Sequence, residues 1–242
     1  MNRRLWTTVA VILLGITGCR RRQATTQELH ATAAGAVLVE SSGSKQVGTV
    51  GTVLSDPLVV QVNDEQGTAV AGAFVKFRGP DGVNFSPSEG LTDASGQLST
   101  SVTLGDSARH YLLMAYSSDK AGKEISLKVS EIALGYEQQL GHQIDEKYCA
   151  RCHNSESTTE RVSNYDNLTV KPHSFTEGET LNKMSDADLI AIIYHGGPAL
   201  NRSALMPPYA STLSKAEIQA LIAYIRLVSD PPYQPSGVEY AK

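Results

Sequence analysis

The sequence predicts two domains of opposite class, an all-β antiparallel sandwich followed by an all-α domain. Three observations predict this. Residues 47–131 read as short alternating runs broken by Gly/Asp turns, and residues 132–230 place apolar side chains at helical spacing. The 242 residues also exceed one small domain, and at 41% apolar content each part has enough to bury its own core. The formal net charge is -4 and no basic stripe runs along the chain, which excludes nucleic acid as a partner.

The first eighteen residues form a predicted export signal. Arg3 and Arg4 supply its positive start, and residues 5–15 are apolar but too short to span a bilayer. Ile16-Thr17-Gly18-Cys19 closes it and resembles the bacterial lipobox. The resemblance implies that Cys19 is acylated, so that the exported chain is lipid-anchored to the periplasmic or outer face of a bacterial membrane. Arg20 in place of Asp after that cysteine leans toward the outer membrane. The competing reading is an ordinary short signal or uncleaved anchor with a chance cysteine. Residues 19–46 are rich in Ala, Thr, Ser, Gly and Gln and read as a flexible linker with an r.m.s. span of about 30 Å.

Within 47–131, Leu58-Val59-Val60-Gln61-Val62 runs into the polar turn Asn63-Asp64-Glu65-Gln66-Gly67. Ala73-Phe74-Val75-Lys76-Phe77 stops at Gly79-Pro80-Asp81-Gly82, and Thr92-Asp93-Ala94-Ser95-Gly96 leads into the next run. These residues, with Val70-Ala71-Gly72, resemble the bacterial immunoglobulin-like (Ig-like) domains of intimin and invasin-type surface proteins. A spacer or protein-contact surface is the role this implies. No catalytic cluster is visible, and His110 and Tyr111 read as strand residues.

In the last part Ile132, Tyr136, Leu140, Ile144 and Tyr148 recur every fourth residue, as on one face of a helix. A second helix is predicted from Ser185, with Asp188 at the capping-box position, to Gly196-Gly197. A third runs from Ser214, with Glu217 at the box position, and ends before Pro231-Pro232; residues 231–242 form a tail.

The chemistry centres on Cys149-Ala150-Arg151-Cys152-His153. In C-x-x-C-H, two thiols one helical turn apart each add across a haem vinyl group, and the next imidazole becomes an axial iron ligand. Cys149 and Cys152 are thus predicted covalent anchors of haem c, and His153 the proximal ligand. A thioredoxin-like site needs a βαβ context that is missing, and a zinc site needs further ligands. The three cysteines are then all used, Cys19 for lipid and two for haem, with none left for a disulfide.

Met206, within Ala204-Leu205-Met206-Pro207-Pro208-Tyr209, is a candidate sixth ligand or, alternatively, core filler. The region resembles the class I (mitochondrial-type) cytochrome c family. The resemblance rests on the C-x-x-C-H motif, Gly141 eight residues before Cys149, Tyr224, Ile193-Tyr194-His195-Gly196-Gly197-Pro198 and Met206-Pro207-Pro208-Tyr209. It implies His/Met ligation through His153 and Met206, and close crossing of the first and last helices at Gly141. Where that family places an aromatic this chain has Asp145, so Tyr148 or another ring is expected to fill the gap. Residues 154–183 are expected to form a loop along the haem edge, with the Pro172 carbonyl orienting His153. His173 and His195 are the rival ligands.

The implied role is single-electron transfer and not enzymatic catalysis, as a carrier or as the cytochrome subunit of a membrane redox complex. Redox proteins or a membrane respiratory or photosynthetic complex would be its partners. A haem enzyme or gas sensor with a displaceable ligand, or an adhesion scaffold with haem secondary, are the alternatives. From residue 132 onward nine Lys and Arg face thirteen Asp and Glu, which argues against a lysine-ringed docking face.

Overall fold

The computed structural model describes residues 30–159 and 161–234. Among them, no helix is long and apolar enough to cross a membrane. Nine strands come first: β1 (Val37–Ser42), β2 (Val47–Thr49), β3 (Leu58–Asn63), β4 (Phe74–Arg78), β5 (Asn84–Ser86), β6 (Glu89–Leu91), β7 (Gln97–Thr103), β8 (Arg109–Ser118) and β9 (Glu124–Leu134). They form a four-stranded sheet ordered β1-β3-β7-β5 and a five-stranded sheet ordered β2-β9-β8-β4-β6. Alternation explains why both sheets hold: Leu58, Val60 and Val62 of β3 are buried while their neighbours are not. They meet Val75, Phe77, Tyr111, Leu113 and Val129 of the other sheet in one apolar core. The turns close by side-chain mimicry of backbone, since Asp64 Oδ1 accepts from the amides of Gln66 and Thr68, and Asp93 Oδ1 from those of Ser95 and Gln97.

The sequence boundaries shift at both ends of this unit. The predicted linker 19–46 contains β1, which pairs antiparallel with β3 and buries Leu38. Small and polar neighbours hid a strand whose stability comes from its partner. At the other end Ile132 belongs to β9 and not to a helix, and Tyr136 is 91% exposed, so the four-residue apolar stripe begins only at Leu140. Strand β9 passes through Gly135 directly into α1 (Tyr136–Ile144).

Cross-ties hold the strands to the helices. Leu134 is buried in the helical core, with Ile132 packed against it. Thr49 Oγ1 donates to Gln139 Oε1 at 3.3 Å. His110, read from the sequence as a plain strand residue, places Nε2 2.6 Å from the Leu227 carbonyl; a carbonyl only accepts, so the ring donates. Beside the junction Glu131 is fully buried; its Oε2 accepts from the Gln46 amide at 2.6 Å, and Oε1 has no hydrogen-bond partner among the described residues. Burial, with a smaller push from Glu40, raises its carboxyl from 4.5 to about 7 against the pull of the Gln46 amide. A folded-state value raised in this way stabilises fully below pH 4.5, and that contribution is lost as pH climbs to about 7. The Tm is therefore expected to fall across that window, and Glu131→Gln to flatten the fall when thermal unfolding is followed at several pH values. An unchanged pH profile in that variant would remove Glu131 from the account.

The helical unit comprises α1, a π-helical turn (Asp145–Cys149), α2 (Ala150–His153), α3 (Gly178–Leu181), α4 (Asp186–His195) and α5 (Lys215–Val228). Both predicted capping boxes are formed, Ser185 with Asp188 and Ser214 with Glu217. Helices α1 and α5 cross at Gly141, where a Cβ would land on the Ala220 carbonyl oxygen and 2.6 Å from Tyr224 Cβ. Ile144, Leu189, Ile193, Ile218, Leu221, Ile225 and Val228 fill the space between the helices.

Candidate functional site

The π-helical turn delivers Cys149, buried, and Cys152, half-buried, to successive turns of one helical stretch, and neither is in a disulfide. Burial, with Asp145 and Cys152 adding, pushes the Cys149 thiol up to about 12, so it is held neutral. His153 follows, half-buried, with Nδ1 2.7 Å from the carbonyl of His173. That carbonyl only accepts, so Nδ1 carries the proton and Nε2 keeps its lone pair. Burial also holds this imidazole below the usual histidine range. The orienting carbonyl is thus His173 and not Pro172: the loop turns one residue later than the proline-based expectation.

The rival ligands and Met206 are placed differently. With its own carbonyl on His153 Nδ1, His173 lies on the backside of the His153 ring, and its exposed side chain pairs with Glu177 Oε2 at 3.0 Å. His195, the last residue of α4, is exposed and packs on Tyr194. Met206 instead is half-buried and packs into the apolar cluster that also holds Cys149, Tyr148, Phe175, Ile193 and Tyr209. Its loop is pinned to the end of α4: the Gly197 amide donates to the Met206 carbonyl at 3.0 Å, and the Tyr209 amide to the Ile193 carbonyl at 3.0 Å. Gly196 has a φ of +83°, and a Cβ on Gly197 would strike the Ser203 carbonyl oxygen, so the two glycines are what let the loop sit this close.

A second tie, not read from the sequence, joins the Met206 loop to the cysteine turn. The Tyr209 hydroxyl donates to the Tyr148 carbonyl at 3.0 Å, and the two rings meet edge-on at 6.1 Å. Burial, with the two cysteine thiols adding, pushes this phenol up to about 12, which keeps the donor proton in place. Tyr209→Phe is expected to cost about 1 kcal/mol in chemical denaturation by removing that bond. No loss would show that the ring packing alone holds the loop.

Tyr148 is therefore engaged with Tyr209 and does not fill the place next to Tyr224. That place is taken by Asp145, itself 8% exposed, and by the ring of His142, whose centroid lies 5.2 Å from that of Tyr224. Among the described residues no three His, Cys, Asp or Glu side chains converge as a metal cluster. Cys19 lies outside the described residues.

Comparison with known proteins identifies the helical unit. The family model described as cytochrome c oxidase, cbb3-type, subunit III, matches residues 137–225. That segment is a c-type cytochrome domain, the class that carries covalently attached haem c with its iron, and this supports a role in haem electron transfer. Intimin/invasin-type structures are matched on the β-rich N-terminal part. The chain is similar to the Yersinia pseudotuberculosis adhesin InvE (16% identity, 40% of this chain and 32% of that chain, TM-score 0.32). It is also similar to the D00-D0 domain of intimin (14% identity, 44% of this chain and 51% of that chain, TM-score 0.31). The bacterial integrin-binding protein invasin aligns at 18% identity over 40% of this chain and 19% of that one, with a TM-score of 0.30. The chain thus spans about a third of the adhesin and half of the intimin fragment. No curated protein matches it.

Proposed function

We propose that the chain is a membrane-tethered monohaem cytochrome in which Cys149 and Cys152 form the two thioethers, His153 Nε2 is one axial iron ligand and Met206 Sδ the other. Cys19 would carry the lipid that anchors the exported chain to a bacterial membrane, with the outer membrane favoured. The β unit would be an Ig-like sandwich that holds the haem away from the lipid surface. Its electron donors and acceptors would be redox proteins or a membrane respiratory or photosynthetic complex.

The bond from His153 Nδ1 to the His173 carbonyl carries this reading. It fixes the tautomer and aims Nε2 as a ligand, within one helical turn of two unpaired thiols. The surroundings fit the group as well, since an apolar wall and a neutral thioether suit a buried macrocycle. When bound, haem supplies a one-electron couple. The chain's own residues then set its environment: the His173 carbonyl strengthens His153 as a donor, Tyr209 and Gly196-Gly197 position Met206, and the apolar cluster keeps water from the ligands.

Visible spectra and a redox titration of wild type and Met206→Ala test the ligand set. The variant is expected to lose the methionine-to-iron charge-transfer band, to bind CO when ferrous and to titrate at a lower potential. Unchanged spectra and potential would refute Met206 as ligand. Immediate CO binding by the wild type would favour a gas sensor or haem enzyme over a carrier.

A further inference from the structure

The helical unit buries one carboxyl that the haem-binding residues do not use. Asp145 opens the π-helical turn, four residues before Cys149, and is 8% exposed. Its Oδ1 has no hydrogen-bond partner among the described residues. The groups that face it come from three sides. Glu146 is its neighbour on the turn, and His142 of α1, one turn back, reaches Glu146 Oε1 at 4.0 Å. Arg161 comes from the following loop, with Nε 3.5 Å from Glu146 Oε2, and Tyr224 from α5. Of these Glu146 is half-exposed, so the cluster has an edge in water.

A carboxylate here is poorly solvated and lacks a full set of donors, so its ionised form is costly and sensitive to any further charge. Burial accordingly moves it from 3.8 to about 7, with Glu146 adding and with the Tyr224 hydroxyl and Arg161 opposing. Its field reaches the haem-anchoring turn, because the Asp145 charge is among the causes that raise the Cys149 thiol. An electron placed on the iron adds negative charge to that same low-dielectric region.

We propose that Asp145 is a proton-binding site coupled to electron transfer: when the bound ferric iron accepts one electron from a donor, the Asp145 carboxylate takes one proton from water, and on oxidation it returns that proton. The charge added by the electron is thereby offset one turn away from Cys149. This rests on the reading of Cys149, Cys152 and His153 as the haem attachment.

Potentiometric titration of the full-length, haem-loaded protein between about pH 5 and pH 9 tests it. The midpoint potential is expected to be level at low pH and to fall through neutrality by at most about 59 mV per pH unit, the value for one proton per electron. Asp145→Asn, uncharged like the acid, is expected to remove the slope and to hold the potential at the low-pH level. Glu146→Gln, a half-exposed change that spares the core, is expected to move the sloping interval to lower pH, and Arg161→Gln to higher pH. A slope that survives unchanged in Asp145→Asn overturns the proposal. Should that variant not fold, an interval shifted by neither Glu146→Gln nor Arg161→Gln overturns it equally. An infrared reduced-minus-oxidised spectrum adds a direct readout: a protonated-carboxyl band should rise on reduction in the wild type. If the attachment reading itself failed, there would be no covalent haem to titrate. A sound haem spectrum with a potential indifferent to Asp145 would refute the proton site alone.

Discussion

Gly141→Ala is expected to destabilise the haem-loaded protein by about 2 kcal/mol, net of a gain. Alanine is the better helix former by about 1 kcal/mol, so on an open helix face the change would help. Here the added methyl has nowhere to go. It would land on the carbonyl oxygen of Ala220, which is backbone and cannot swing aside, and 2.6 Å from Tyr224 Cβ. The helices must separate, and overpacking of this kind costs about 3 kcal/mol. Separation also pulls Tyr224 from Asp145 and loosens the packing of Ile144 against α5. Urea denaturation should show a lower midpoint with an unchanged slope, the mark of a stability change without a change in the surface exposed. Equal stability would mean that the crossing is looser than the structure shows. Gly141→Val should be worse, because it adds χ1 restriction to the same clash.

The second large effect is expected at Arg226, on the opposite side of α5. Its side chain is 9% exposed and organises the chain before and at the start of α4. Nη1 donates to the Leu181 carbonyl at 2.8 Å, Nη2 to the Met184 carbonyl at 2.6 Å, and Nε and Nη2 both reach Asp186 Oδ1. The guanidinium also lies 4.0 Å from the centre of the Tyr233 ring. Arg226→Ala would leave the Met184 carbonyl without its donor and the Leu181 carbonyl with only the Met184 amide at 3.2 Å, and a buried acceptor left bare costs about 1–3 kcal/mol. Asp186 is largely exposed and adds little, because water replaces its partner. A total of about 3 kcal/mol is expected in the same denaturation assay. Arg226→Lys should recover less than half, because one ammonium cannot span three acceptors in a fixed fork. Full recovery with lysine would reduce the role of Arg226 to charge alone.

The parts of this protein legible in its sequence are those whose physics is local. Capping boxes at Ser185 and Ser214 involve residues three apart, and both are formed. The alternation of β3 is equally short-range, because successive side chains of a strand must face opposite ways. So is the C-x-x-C-H spacing, which one helical turn converts into two adjacent thiols and an imidazole. The pairing of β1 with β3 and the strand character of Ile132 were not legible, since both depend on partners remote in sequence.

The site shows the same division. Cys149, Cys152, His153 and Met206 could be proposed as its donors, because side-chain chemistry is a property of the residue. Their control could not. The His173 carbonyl is backbone, available at every residue, and only the path of the loop chose it over Pro172. Tyr209 meets Tyr148 across 61 residues, and Arg226 meets Leu181 across 45. Asp145 was visible as a charged residue at an apolar position, but its burial, and with it a carboxyl raised to about 7, arises only once the chain has folded around it. The sequence by itself determined which side-chain chemistries are on offer and those segments whose capping or alternation is local, because these depend on residue chemistry and short-range periodicity. Only the tertiary structure decided how the donors are oriented and which charges are buried, because solvent exclusion and hydrogen-bond partners come from segments that meet after the chain has folded.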